Sequence, residues 1–312
     1  MSIYPSLPVS NPNIYFILFS EQSKYVSYNP YDDRWVQLPL PDAICGPICS
    51  EWIHASGGCH IIVERTDSSM LVCNFFTGQY RFLPPMLSLR HVPYVIALIE
   101  DVTTFGDYGI VAVSTQNQIR SQVYFSSTGK WVIKGNFPGQ FAMVSNSAWL
   151  NEELYCLSCA PPYCLIMFTP STGHFSPVDV GMPLTSLTCP HILAHNGELY
   201  LVGGLEELGD ISRIGIWELD WKEKNWKSIV FMPEGLFRRF VGIEMNRFVT
   251  VDRKGVVCFC NITTYNLIMF DLSKMRWWRP VPCPFKVRKN TRSWLGHVVE
   301  PHIQVLLGAC SD

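Results

Sequence analysis

Residues 191–233 read HILAHNGELYLVGGLEELGDISRIGIWELDWKEKNWKSIVFMP, and the fold is decided within this stretch. Ile192 to Ala194 runs into Asn196-Gly197, a dipeptide that tolerates the positive φ of a tight hairpin, and Glu198 to Val202 returns alongside. Gly203-Gly204 is expected to end this second strand, with a looser loop from Glu206 to Asp210 behind it. Ile214 to Leu219 then supplies a third strand and Asp220 to Asn225 a polar turn. Trp226 to Phe231 supplies a fourth, and Met232-Pro233 stops the pattern. The unit is a meander of four antiparallel strands.

Its last third recurs along the chain. A large aromatic opens a fourth strand at Trp35, Tyr80, Trp131, Phe175, Trp226 and Trp277, at intervals of 45, 51, 44, 51 and 51 residues. Seven positions earlier stands an apolar residue each time: Tyr28, Cys73, Tyr124, Phe168, Leu219 and Phe270. Shortly after each aromatic comes an apolar-Pro pair: Leu38-Pro39, Leu83-Pro84, Phe137-Pro138, Met182-Pro183, Met232-Pro233 and Val281-Pro282. Gly78, Gly129 and Gly173 lie two residues before their aromatics, where the turn between third and fourth strands should need an unusual φ. A period near 50 residues with four strands per copy marks a kelch-type β-propeller blade. One twisted sheet cannot cover both of its own faces, so each blade leans on its neighbours and the repeated aromatic fills the wedge between them.

These residues resemble the kelch-repeat domain of plant-type F-box/kelch proteins. The resemblance rests on Ile14 to Phe19, Tyr28-Asn29-Pro30, Arg34-Trp35 and Leu38-Pro39, and on the later copies of the same pattern. It implies a substrate-recognition subunit of a cullin-RING ubiquitin ligase, recruiting a client protein or transcription factor in the cytoplasm or nucleus. An F-box precedes the propeller in that family, whereas Met1 to Asn13 here is expected to be only a lead-in, with residues 14–312 forming a single propeller domain. A Skp-type adaptor would be engaged only through an F-box upstream.

Bulk properties narrow the function. The chain has 24 Lys and Arg against 26 Asp and Glu, a net charge of −2, which argues against nucleic-acid binding driven by bulk charge. Charged residues make up 16%, below the usual quarter, which suits a neutral partner-facing surface. No apolar run has membrane-spanning length, and Met1 to Asn13 lacks the basic and apolar segments of a secretory signal. Twelve cysteines in a chain of 312 residues are read as reduced thiols, since a core this large needs no staples. The sequon Asn261-Ile-Thr263 is then read as chance.

Six blades are expected. The first takes Ile14 to Phe19, Tyr25 to Tyr28 and Trp35 to Leu38, and lacks an innermost strand of its own. Trp294 to Val299 and Ile303 to Leu307 both look extended, and one should close the ring beside it; a seventh, composite blade would absorb the surplus. No stretch reads as a helix.

Catalytic and metal motifs are weak. Cys156-Leu-Ser-Cys159 with Cys164 is the nearest approach to a zinc site, but on a strand Cys156 and Cys159 point to opposite faces, so they read as small buried hydrophobes. His54, His60, His174, His191, His195, His297 and His302 lack paired ligand spacing and read as structural or solvated. No nucleophile elbow, phosphate loop or dinucleotide fingerprint occurs. The sequence therefore points to no enzyme, cofactor or metal. The competing reading is a propeller enzyme with a loop-built site in the central channel.

Surface recognition remains, and the face carrying the irregular connections is the one to bind with. Its connections carry Arg90, His91 and Tyr94, then Phe237, Arg238 and Arg239, then Arg288, Lys289, Arg292 and Trp294. These residues are expected to form a basic, aromatic-containing sector that holds an acidic protein segment through bidentate Arg contacts. Glu206, Glu207 and Asp210 would partly offset it.

Overall fold

The structure is a computed structural model that describes residues 14–21, 24–39, 53–65, 67–87, 95–100, 108–114, 119–137, 144–158, 163–183, 186–241, 247–264, 266–285 and 296–300. Its strands follow the repeat. β1 (Tyr15–Glu21), β2 (Lys24–Asn29) and β3 (Arg34–Pro39) come first, then β4 (Ile53–Gly57), β5 (His60–Glu64), β6 (Met70–Asn74) and β7 (Tyr80–Phe82). The third copy is β8 (Val95–Glu100), β9 (Tyr108–Ser114), β10 (Ile119–Phe125) and β11 (Lys130–Phe137). The fourth is β12 (Val144–Leu150), β13 (Glu153–Ser158), β14 (Leu165–Thr169) and β15 (His174–Pro177). β16 (Leu187–His195), β17 (Glu198–Glu207), β18 (Asp210–Asp220) and β19 (Asn225–Phe231) form the fifth, followed by a helix, α1 (Glu234–Val241). The sixth is β20 (Phe248–Arg253), β21 (Val256–Asn261), β22 (Leu267–Asp271) and β23 (Arg276–Trp278), and β24 (His297–Val299) ends the series.

Among the described residues these strands make six four-stranded antiparallel sheets, the blades of a six-bladed propeller. The first sheet has the order β24-β1-β2-β3, so its missing strand comes from the end of the chain, with Tyr15 opposite Val299 and Ile17 opposite His297. Of the two terminal candidates, part of the stretch Trp294 to Val299 takes this place; Ile303 to Leu307 lies outside the described residues.

The chain divides into two compact units, Met1–Leu83 with Val281–Asp312 and Pro84–Pro280. In the first unit one core joins the two sheets, with Tyr15, Ile17, Tyr25, Ile61, Leu71 and Phe75 all buried. In the second unit the first strands β8, β12, β16 and β20 lie side by side in chain order, and a separate apolar core fills each gap between consecutive sheets. Middle strands are therefore covered on both faces. β6, β21 and β22 are buried at every residue, which is why they read as unbroken apolar runs rather than alternating ones.

The repeated positions are in register. Tyr28 pairs with Trp35, Cys73 with Tyr80, Tyr124 with Trp131, Phe168 with Phe175, Leu219 with Trp226 and Phe270 with Trp277. The seven-residue spacing is thus a cross-strand pair closed by the turn between third and fourth strands. Trp35, Trp131, Phe175 and Trp226 are buried and Trp277 half-buried. Trp35 Nε1 donates to the Val281 carbonyl at 2.7 Å and Trp131 Nε1 to the Pro84 carbonyl at 2.8 Å, so two of the indoles bond to the backbone of apolar-Pro pairs. Tyr80 departs from the pattern. It is 53% exposed on a three-residue strand and packs edge-on against Phe82, which in turn lies under the Arg65 guanidinium. It fills no wedge.

The glycines at 203 and 204 do not end a strand. β17 runs through them to Glu207, and the looser loop is instead a tight turn at Leu208-Gly209. These glycines serve close packing: a Cβ on Gly203 would sit 2.5 Å from Leu187 Cδ1, and one on Gly204 would press on Ile211 and Phe248 at 3.0 and 3.1 Å.

Candidate protein-binding face

The irregular face of each blade carries the turn between second and third strands and the connection to the next blade. In the second unit this face is best defined at the fifth and sixth blades, where the connection is α1 rather than a loop. Pro233 precedes it and accepts from the Leu236 and Phe237 N–H groups, Glu234 stands in the first turn, and Arg238 and Arg239 stand in the last, each sign suited to its end of the helix dipole. Leu236, Phe237, Phe240 and Val241 form an apolar stripe against the core between the fifth and sixth blades. That stripe was the signal for a helix, and a stretch this short with Gly235 inside it reads as a loop.

The stripe fixes what the helix offers. Phe240 is buried and Phe237 half-buried against the core, so Phe237 is largely spent on packing. Arg238 and Arg239 point to solvent. Arg238 pairs with Glu234 at 2.6 Å, both ends exposed, an ion pair worth only a few tenths of a kcal/mol and readily exchanged for another carboxylate. The helix end is anchored by Asn261, whose Nδ2 donates to the Phe240 and Val241 carbonyls at 2.7 and 3.1 Å while its Oδ1 accepts from the Thr263 and Thr264 N–H groups. Asn261 is fully buried, so the sequon presents no acceptor in the folded chain. Arg90, His91, Tyr94, Arg288, Lys289, Arg292 and Trp294 lie outside the described residues.

In the fifth blade the β17–β18 hairpin has strands of 10 and 11 residues, against five to seven for the other second and third strands among the described residues. The ladder is paired to its tip, where Glu207 faces Asp210, with a register shift between Leu205 and Glu206. Glu206, Glu207 and Asp210 are all exposed.

Polar groups on the first strands are paired with groups on neighbouring strands. His191 Nε2 on β16 meets Asp252 Oδ1 on β20 at 2.8 Å, and His54 Nε2 on β4 meets Glu64 Oε2 on β5 at 2.7 Å. His297 Nε2 donates to the Ile53 carbonyl at 3.0 Å, and burial pushes its pKa down to about 4, so the ring is neutral. Among the described residues no three His, Cys, Asp or Glu side chains converge on a metal position. Cys156 is buried between the third and fourth blades, and burial pushes its thiol up to about 12, as it does that of Cys73 in the first unit. Cys45, Cys49 and Cys159 lie outside the described residues. None of the described helices is long and apolar enough to cross a membrane.

Residues 26–242 match the model of the KIB1-4 β-propeller family. The chain belongs to that family. This KIB1-4 propeller is similar to two Arabidopsis thaliana proteins. The protein UNUSUAL FLORAL ORGANS is 23% identical over 286 residues, which is 85% of the chain here and 62% of that protein. An F-box/kelch-repeat protein is 22% identical over 289 residues, 86% of this chain and 70% of its own length. The chain thus spans less than two thirds of the first relative. Two solved structures share the fold alone: a Bacteroides thetaiotaomicron protein of unknown function (TM-score 0.52, 11% identity, 87% of this chain and 79% of that one) and an oligogalacturonate lyase in complex with manganese (TM-score 0.50, 10% identity, 89% and 81%).

Proposed function

We propose that this KIB1-4 propeller is a protein-binding module that selects a client for a cullin-RING ubiquitin ligase, in the cytoplasm or nucleus. The observation that carries the reading is its similarity, across 86% of the chain, to a protein named for an F-box joined to kelch repeats. The irregular face supports it. Arg238 and Arg239 are held outward on a helix whose other side is locked to the core, and guanidinium groups suit bidentate contact with carboxylates. The client is accordingly a protein with an acidic segment, contacted by Arg238 and Arg239 together with Arg90, His91, Tyr94, Arg288, Lys289, Arg292 and Trp294, and with Phe237 bracing the helix beneath. A Skp-type adaptor joins where an F-box is present in the same polypeptide.

The test is recovery of partners from plant extract by the full chain and by a variant with Arg238, Arg239, Arg288 and Arg292 all changed to Glu. A client recovered by the first and reduced at least tenfold with the second supports the sector. Unchanged recovery removes it.

A further inference from the structure

The β17–β18 hairpin combines features that its fold does not require. Its second strand begins at the same turn as in the sixth blade but runs 10 residues instead of 6, which carries the tip roughly 10–15 Å further at about 3.3 Å per residue. The extra length is strand-paired: β16 accompanies β17 as far as Leu187 opposite Leu205, and the β17–β18 ladder continues across its register shift to Glu207 opposite Asp210. At the tip, Leu208 and Gly209 have φ of +56° and +90°, the mirror-image turn that elsewhere in the same blade is made by Asn196-Gly197. Leucine gains nothing from that conformation, which Asn, Asp and Gly adopt more easily. It also gains nothing from its surroundings, since Leu208 is 106% exposed, more than any other large apolar residue described. Three exposed carboxylates, Glu206, Glu207 and Asp210, surround it with no cation between positions 206 and 210.

We propose that this hairpin is a docking finger: Leu208 enters an apolar pocket on a partner protein, and the pocket is rimmed by Lys or Arg that pair with Glu206, Glu207 and Asp210. The inference rests on the protein-binding reading above and adds a second determinant of opposite charge to the α1 arginines. A partner that satisfies both carries an acidic segment and, apart from it, a basic-rimmed apolar pocket. The exposed leucine supplies the apolar anchor and the carboxylates supply orientation and a salt-sensitive association rate.

The experiment uses the full chain with a photoreactive benzoylphenylalanine at position 208, and at Lys222 on the opposite face as a control, in plant extract. Crosslinked peptides are identified by mass spectrometry. Leu208→Asn removes the anchor yet suits the left-handed turn, so its melting temperature is expected to equal or exceed that of the parent chain. A drop in melting temperature would make Leu208 a structural residue and overturn the proposal. The expected result is a protein crosslinked from position 208 and not from 222, through a peptide with Lys or Arg flanking apolar residues. Recovery of that protein should fall at least tenfold with Leu208→Asn, and also with Glu206→Lys combined with Glu207→Lys. Full recovery with Leu208→Asn, or crosslinks to acidic peptides, overturns the finger while leaving the protein-binding reading intact if the arginine variant still loses its client. Absence of any specific partner for the parent chain sinks both.

Discussion

Two residues before each repeated aromatic, the backbone is left-handed in all six blades: Asp33, Gly78, Gly129, Gly173, Lys224 and Met275 have φ of 46°, 73°, 66°, 75°, 51° and 50°. The conformation belongs to the turn and not to the residue, so removing a side chain at one copy and adding one at another have opposite signs. Met275→Gly should raise stability by about 0.5 kcal/mol, the relief of a left-handed side chain less the added freedom of glycine in the unfolded chain. Gly173→Ala should cost at least about 2 kcal/mol, because its Cβ would lie 2.4 Å from the Lys134 carbonyl oxygen. Urea midpoints of the two variants decide the matter. His297 makes a pH-dependent contribution. The unfolded chain takes up a proton near pH 6.5, the folded one only near 4, so stability is unaffected above pH 6.5 and falls as pH drops from 6.5 to 4, by up to about 3 kcal/mol. His297→Gln, which keeps a donor for the Ile53 carbonyl, should flatten the stability profile over that window.

At the scale of elements, the strands were legible and the helix was not, for the same physical reason. A buried middle strand such as Leu267 to Asp271 announces itself by an apolar run between turn residues, and the six aromatics set the phase. Helix α1 has eight residues, too few for a period to emerge against one glycine, and its stability comes from contacts made far away in sequence. Asn261 is one of these. Replacing it with Ala leaves two helix-end carbonyls and two turn N–H groups without their partner, so Asn261→Ala should cost about 2–4 kcal/mol. Hydrogen exchange should show residues 234–241 opening first. The extra length of β17 was missed because Gly203-Gly204 resembles a terminator, whereas side chains from β16, β18 and β20 leave room there only for hydrogen. Of the expected binding residues, Arg238 and Arg239 are exposed on α1, whereas Phe237, on the same helix, turns toward the core, which the sequence could not show.

Across the whole molecule, the buried thiols among the described residues serve as packing material. Cys73 and Cys156 are pushed up to about 12 and Cys258 and Cys260 are raised as well, all by burial. At pH 8 a thiol with a pKa of about 12 is ionised to about one part in ten thousand, so Cys73 and Cys156 should resist alkylation until the chain unfolds, and Cys258 and Cys260, raised by the same burial, should do likewise. Cys164, Cys189 and Cys283, which are half-buried, should label before these four, as peptide mapping after brief iodoacetamide treatment would show. The pairing of β24 with β1 carries a different kind of consequence, one of timing. On a ribosome adding about 5–20 residues per second, β1 emerges roughly 15–60 s before its partner exists. Throughout that interval the newborn chain presents an open strand edge to the crowded cell. Delay in making β24, or its loss to a protease, would leave the first-made blade of the propeller as its weakest.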